Sequence, residues 1–382
     1  MGPLYQIDIL DKNQDYVATV RNTPELDKTG TFLSYTTRLS NIGKCKFRIG
    51  KLDPLLQTEG DFLQPFQNHV RIRRAGTTVW QGVIVKNPQR NKRFIEVEAY
   101  TYLYLLSRVL IRHDPSDGHG SENYRILNNG TMAIYIQTFL DECKVDMGLP
   151  LANLTYGTID NPNFPADYRD DTGAALTGSW TFSPNFTVKY DYRDLLYVLT
   201  TLAMYCNFDF EITPAMQFNF KQYIGNKQSG MKFTYGEHGN IDDYNAPLDG
   251  DAMANYLWGI AADNQSLIIH AGPISDEASV AKYGRIAALA AYGDVKNVNL
   301  LTSRIRGEIT QVKTPDPEIH FFTNNKAYPL GRYAIGDTVA VQIKDGPNNV
   351  DTLRRIVGID VQVNLTGDEN IRVITNKPRE DQ

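Results

Sequence analysis

Apolar and polar residues alternate one for one along several short segments near both ends of the chain, and this period of two constrains the fold more than any other feature. Cys45, Phe47 and Ile49 share one face of such a segment, and Lys44, Lys46 and Arg48 the other. That pattern belongs to a strand with one side on a core and one in water. Tyr5, Ile7 and Ile9 repeat it, as do Val70 and Ile72 between His69, Arg71 and Arg73, and Ile95, Val97 and Ala99 around Glu96 and Glu98. Turn-forming stretches at Arg74-Ala75-Gly76-Thr77-Thr78 and Lys86-Asn87-Pro88-Gln89-Arg90-Asn91 separate these segments, so the N-terminal part predicts a small antiparallel sandwich or barrel. The C-terminal part returns to the pattern with Val339, Val341 and Ile343, with Val357, Ile359, Val361 and Val363 against Gly358, Asp360, Gln362 and Asn364, and with Ile371 and Val373.

Between these ends the period lengthens. Leu103, Leu106, Val109 and Leu110 suit a short helix that plugs or flanks the barrel, and His113 to Asn129, rich in Asp, Gly, Ser and Asn, marks a loop and a domain boundary. Met132, Ile136, Phe139 and Leu140 predict a helix over 131–144, capped by Asn128 or Asn129. The stretch 149–184, with Pro150, Pro162, Pro165 and Pro184, reads as a long irregular connection of the kind that serves as a partner-ordered surface. Asp191-Tyr192-Arg193-Asp194 opens a second helix, with Asp191 as its cap and Leu195, Leu199, Leu202 and Tyr205 as its core stripe. Strands over 208–213 and 216–221 follow, joined at Pro214-Ala215. Ser266 to His270 and Arg285 to Ala291 are short apolar runs. Val295, Val298, Leu301, Ile305 and Ile309 predict a third helix over 294–311, ended by Pro315 and Pro317. The fold class is therefore mainly β with α insertions (α+β).

At 382 residues the chain has room for two to four compact units. Its 22 Tyr suit a β-rich protein that makes many contacts. A formal charge of −5 argues against a dedicated nucleic-acid binder while allowing DNA to pass through a channel. Cys45, Cys143 and Cys206 sit in apolar or strand-like segments and read as ordinary thiols. The N-terminus lacks a charged region followed by an apolar one, and no apolar run approaches the ~18 residues of a membrane span. Synthesis in a cytoplasm without a membrane anchor is the expectation.

The search for chemistry returns little. His113-Asp114-Pro115-Ser116-Asp117-Gly118-His119 groups two His with Asp, but its spacing fits neither a helical pair nor a zinc finger, so a solvated loop is expected. No nucleophile elbow, His-Glu-x-x-His, Walker loop or dinucleotide fingerprint occurs. Asp170-Asp171 and Asp242-Asp243 are adjacent, and in a strand they would point apart. Arg71, Arg73, Arg74, Lys86, Arg90, Lys92 and Arg93 around Trp80 read as the outward positions and tips of two strands, with Trp80 packing at an edge. Tyr100, Tyr102 and Tyr104, Phe208, Phe210, Phe218 and Phe220, and Trp180 and Trp258 are assigned to cores or subunit contacts. No catalytic, cofactor or metal residue is expected.

One arrangement goes beyond composition. Arg71-Ile72-Arg73-Arg74, then Val79-Trp80-Gln81-Gly82-Val83-Ile84, then Phe94 to Tyr100 and Leu103 to Arg108 resemble the N-terminal barrel of the baseplate or tail hub (tail tip, tail-component) proteins of long-tailed bacteriophages. There a Trp-x-Gly-x-Ile strand precedes a strand leading into a Leu-rich segment that ends in Arg. Lys282-Tyr283-Gly284-Arg285, the Leu-rich helix after Asp294, and Gly336-Asp337-Thr338-Val339 with Arg355-Ile356-Val357 look like that family's later elements, in the same order. The resemblance implies a trimeric structural virion component with two tube-like β-barrel modules per subunit. It would adapt a sixfold tail tube to a threefold tip and form part of the DNA ejection channel. It divides the chain into a tube-like β-barrel (1–111), an α-containing insertion with a long loop (112–206), a mixed region contributing to the second module (207–316), the C-terminal strands of the second barrel (317–376) and a tail (377–382). Partners implied are two further copies, a distal tail protein or tail tube hexamer, a tape measure protein, and tip, fibre or receptor-binding proteins. The chain ends in Lys377-Pro378-Arg379-Glu380-Asp381-Gln382, so no attached peptidase, lysozyme-like or fibre domain is expected. The alternatives are a tail-borne cell-wall hydrolase and a carbohydrate-binding tail protein.

Overall fold

The computed structural model describes residues 5–20, 31–50, 63–90, 94–111, 125–127, 129–164, 172, 174–183, 188–190, 193–246, 250, 253–262, 268–292, 295, 298–314, 318–324, 327–346, 348–364 and 366–378. The alternating N-terminal segments become β1 (Tyr5–Leu10), β2 (Tyr16–Val20), β3 (Thr31–Arg38), β4 (Lys44–Gly50), β5 (His69–Arg74), β6 (Thr77–Arg90) and β7 (Phe94–Thr101). They form an antiparallel sheet in the order β2-β1-β5-β6-β7-β4-β3. Ile7, Ile9, Cys45, Phe47, Ile49, Val70, Ile72, Ile95, Val97 and Ala99 all lie buried, as the alternation requires. Ala75 and Gly76, both at positive φ (49° and 84°), make the tight turn between β5 and β6, with a backbone twist that matches the flanking strands. The second expected turn, at Lys86 to Asn91, does not fall within Lys86 to Arg90, and Asn91 lies outside the described residues. β6 continues to Arg90, and register shifts at Ile84/Lys86 and Lys86/Gln89 take up Asn87-Pro88 as bulges.

The C-terminal strands close on themselves. β15 (Lys227–Tyr235), β16 (Ile241–Asn245), β20 (Ile319–Thr323), β21 (Thr338–Asp345), β22 (Asn348–Asn364) and β23 (Glu369–Asn376) form a six-stranded barrel in the cyclic order β22-β21-β15-β16-β20-β23. Only the β15–β16 and β15–β21 pairs are parallel. A bulge between Ile356 and Gly358 shifts the phase of β22. Ile356 is therefore buried together with Ile359, Val361 and Val363, and Val357, expected inward, is only half-buried. Beyond the bulge β22 leaves β21 and pairs with β3, Gly358 opposite Arg38 and Val363 opposite Leu33. β3 thus has β4 on one edge and β22 on the other. This is why the expected N-terminal barrel does not close among the described residues: the edge of β3 that would meet β2 is taken. Mostly β as expected, with 52% strand against 18% helix, the chain shows one closed barrel.

The insertion has its own core. α1 (Leu103–Leu106) is one turn long and buries Leu103, Leu105 and Leu106 against that core, so it flanks the β-unit without plugging it, and Leu110 is exposed. α2 (Met132–Met147) buries the predicted Met132, Ile136, Phe139 and Leu140, but its cap is Thr131, whose hydroxyl accepts from Ile134 N at 3.3 Å. A cap has to precede the helix directly to reach these N–H groups, which Asn129 does not, and Asn128 lies outside the described residues. α4 (Leu195–Cys206) is capped in the same way by Asp194, 2.9 Å from Tyr197 N, and buries Leu195, Leu199 and Leu202; Asp191 and the side chain of Tyr205 lie outside the described residues. The stretch 149–184, read as irregular, includes regular elements among its described residues; Pro165 and Pro184 lie outside them. It holds α3 (Leu149–Ala152), β10 (Thr155–Ile159) and β11 (Thr181–Phe182), with Trp180 and Phe182 buried. β10 pairs with β14 (Gln217–Lys221), which also pairs with β13 (Asp209–Ile212). Within the expected 113–129 loop, β8 (Arg125–Leu127) pairs with β12 (Val188–Tyr190). Further on, β17 (Tyr256–Ala262), β18 (Ile268–Ser275) and β19 (Ala287–Tyr292) make a small sheet. α6 (Val298–Val312) adds Leu301, Ile305 and Ile309 to the same core, leaving Val298 exposed.

Charged and polar pairs join these units. Glu369, almost fully buried at the start of β23, accepts from Arg74 Nε at 2.5 Å and Nη2 at 2.9 Å, and from the Tyr5 hydroxyl. Arg74 also donates to Leu330 O. This fork ties the β5–β6 turn to the barrel. On β22, Arg355 forms a buried two-pronged pair with Asp209 of β13, tying the insertion to the barrel. Where the insertion meets the N-terminal sheet, Gln81 Nε2 donates to the Tyr102 hydroxyl at 3.0 Å, and that hydroxyl lies 2.9 Å from His69 Nδ1. Burial pushes the His69 pKa down to about 4.

Two outcomes follow from these joints. Arg74→Met removes the guanidinium from the buried Glu369 carboxylate, leaving that charge unneutralised beside the Tyr5 hydroxyl, and should cost about 3–5 kcal/mol in urea unfolding, with much of it regained by adding Glu369→Leu. An Arg74→Met variant as stable as the parent would contradict the joint. Because the folded pKa of His69 lies below its ordinary 6.5, its contribution is complete above pH 6.5 and is lost as pH falls towards 4. Between pH 7 and pH 5 the parent should lose about 2 kcal/mol more stability than His69→Gln; equal losses would show that His69 takes up its proton without strain.

Candidate functional surface

Directly opposed residues of antiparallel neighbours project from the same side of a sheet, so strand register shows which outward residues meet. One row runs from Glu98 on β7 through Lys46 on β4, Ser34 on β3 and Gln362 on β22 to Asn370 on β23. The next starts at Tyr100 and passes Lys44, whose N–H donates to the Thr36 hydroxyl at 2.8 Å, then Asp360 and Arg372. Both rows cross the junction of β3 and β22, so a single polar face spans the two β-units.

Three carboxylates organise the charges on this face. Glu98 lies 2.9 Å from Lys44, 3.2 Å from Lys86 and 3.6 Å from Lys46, and Glu96 lies 3.2 Å from Arg48 and 3.9 Å from Lys46. Asp360 holds Arg38 and Arg372, each at 2.6 Å, and so bridges β3 and β23 across the strand between them. Burial disfavours ionisation of Glu98, but hydrogen bonds from Tyr100, Lys44 and Lys86 together outweigh it and bring its pKa down to about 2. Phe94 and Tyr100 lie beneath Arg48 and Lys44, 4.6 and 5.6 Å from the ring centres. Six cations against three carboxylates leave a formal +3.

The residues that carry the sequence resemblance act through packing. Trp80 is buried, not at an edge, and its Nε1 donates to Thr36 O at 3.1 Å. Two positions on, a Cβ at Gly82 would overlap the Tyr100 carbonyl and the Trp80 ring, so the Trp-x-Gly spacing lets β6 and β7 meet. Gly336 has φ +89° and faces the Ile224 carbonyl, where a side chain has no room. Its neighbour Asp337 accepts from Asn226 N, Gln228 Nε2 and Ala334 N, fixing the entry to β21. Asn255, fully buried, donates to Gly284 O and accepts from Ile286 N, which fixes the Gly284-Arg285 link that follows the helix over Glu277–Tyr283.

The basic residues flagged around Trp80 all find acids where they are described. Arg71 and Arg73 pair with Asp8, Arg74 with Glu369 and Lys86 with Glu98; Lys92, Arg93 and the side chain of Arg90 lie outside the described residues, as do His113 to His119 and Asp170-Asp171. Asp242 and Asp243 are exposed on β16. Tyr102, Phe208, Phe210, Phe218, Phe220 and Trp180 are buried, Tyr100 and Tyr104 stack on each other, and the three cysteines are buried and form no disulfide. Trp258 lies outside the core: it is 43% exposed and sits opposite Leu289 on the outer side of the small sheet. Among the described residues no three His, Cys, Asp or Glu side chains gather as a metal site, and no helix is long and apolar enough to cross a membrane. The pairs at the joints escaped sequence reasoning, since Arg74 and Glu369 are 295 residues apart and Asp209 and Arg355 146. Arg74, Asp209 and Glu369 stand at strand ends and Arg355 within a strand, and no local pattern pairs them.

No protein-family model matches the sequence, and no curated protein matches it either. Solved structures do. The tail protein from Neisseria meningitidis superposes with a TM-score of 0.61 at 10% identity, over 98% of this chain and 96% of that one. The 43 kDa tail protein of prophage MuSo2 from Shewanella oneidensis gives 0.61 at 12%, over 98% of both chains. Prophage tail protein gp18 from Listeria monocytogenes gives 0.55 at 14%, over 98% and 95%. Over nearly its whole length, then, this chain has the fold of phage and prophage tail proteins.

Proposed function

We propose that this chain is a structural subunit of a phage-type tail, the trimeric hub at the distal end of the tail tube. The observation that carries this reading is the continuous sheet in which β22 serves both β-units, within a fold shared end to end with tail proteins. Each subunit would offer two tube-like modules, the open N-terminal sheet and the closed C-terminal barrel. Three subunits would then present six similar units to a sixfold tube while keeping threefold symmetry towards the tip. The role is geometric and not catalytic, and the site is the virion tail tip, reached after synthesis in the host bacterial cytoplasm. Partners on this reading are a distal tail protein or the tube hexamer above, the tape measure protein in the channel, and tip, fibre or receptor-binding proteins below. DNA leaves through the lumen without sequence-specific binding.

Light scattering on the purified chain tests this reading. Three times the 43.1 kDa subunit mass is the expected result. A monomer or dimer at all accessible concentrations, or cleavage of cell-wall material by the chain alone, would contradict it.

A further inference from the structure

The charge on the polar face runs against that of the chain. The whole sequence carries −5, and the nine charged residues of the face carry +3; the remainder therefore carries −8, since −5 − 3 = −8. A positive, hydrophilic, continuous sheet face on an otherwise acidic molecule is complementary to a polyanion. The two aromatic rings at the N-terminal end of this face, Phe94 and Tyr100, lie beneath cations and so are not open for stacking on unpaired bases. Base readout also needs side chains that reach into a groove, and these cations are folded down onto carboxylates. The ligand chemistry left is the phosphate backbone of duplex DNA, met without regard to sequence.

Resting on the hub reading, we infer that this face lines the channel and that Glu96, Glu98 and Asp360 keep passing DNA from being held. Each cation of the face has a carboxylate within 4 Å. A phosphate must compete with that carboxylate before it can be bound. Freed cations would release condensed counterions at every contact, and affinity would rise steeply with their number. Six cations per subunit recur three times around a trimer, so an unshielded lining would grip the DNA it has to let through. With the carboxylates in place the wall stays attractive enough to be wetted by a polyanion and too weakly so to retain it.

The test is binding of the full-length chain to a fluorescent duplex of arbitrary sequence, read by anisotropy at about 50 and about 200 mM salt. The triple variant E96Q/E98Q/D360N should bind at least about tenfold tighter than the parent at the lower salt and lose affinity more steeply with salt, at about 0.9 log unit per added phosphate contact. Adding Lys44→Gln and Lys46→Gln should remove most of the gain, which places it on this face. Unchanged affinity in the triple variant overturns the inference, as does a gain that survives loss of the two lysines. Circular dichroism of each variant confirms that the fold is kept, and light scattering on the same samples separates the two readings. A trimer whose triple variant gains nothing leaves the hub and removes the lining, whereas a persistent monomer removes the hub itself.

Discussion

The pairing of β22 is the interaction on which the rest of the molecule depends. A strand has two edges, and this one is long enough to use one of them twice, first for β21 and, past the bulge at Ile356 and Gly358, for β3. Its other edge closes the barrel through β23. The two β-units therefore share backbone hydrogen bonds and one apolar core, in which Leu33, Phe47 and Val97 belong to the same cluster as Val341, Val361 and Val373. Shear or rotation between the units would break a ladder and a core together, so they are built to move as one body.

Buried charge reinforces that geometry at places where apolar packing would be less selective. The Arg74–Glu369 and Arg355–Asp209 pairs both lie on or beside β22 and β23 and reach to different parts of the chain. Removing charges from water is costly, and a pair in a two-pronged geometry recovers that cost only in one arrangement. Such pairs therefore specify how units dock more than they add to stability. The insertion keeps a separate core, and polar contacts tie it to both β-units, Arg355–Asp209 to the barrel and the Gln81–Tyr102–His69 chain to the N-terminal sheet.

Much of the fold was legible in the sequence because local physics decided it. Cys45, Phe47 and Ile49 face inward because alternation on a half-buried strand allows nothing else, and the Ile136, Phe139 and Leu140 stripe is buried for the corresponding helical reason. The failures share a cause in contacts distant along the chain. Val357 reads as inward until the β22 bulge resets its phase, 149–184 reads as loop until β14 supplies a partner for β10, and the N-terminal sheet reads as a barrel until β22 occupies β3. For the candidate surface, alternation placed Lys44, Lys46, Arg48, Glu96 and Glu98 outward. Nothing local indicated that Arg38, Asp360 and Arg372 would extend that face across a second unit.

The most direct measurement is an electron-microscopy reconstruction of the purified trimer or of the tail tip that contains it. The hub reading requires three copies around an open channel with six β-units in the ring, the N-terminal sheet and C-terminal barrel alternating, and Lys46, Asp360 and Arg372 on the channel wall. A reconstruction in which the chain sits at the periphery, or in which its two β-units do not alternate around a common axis, would contradict it.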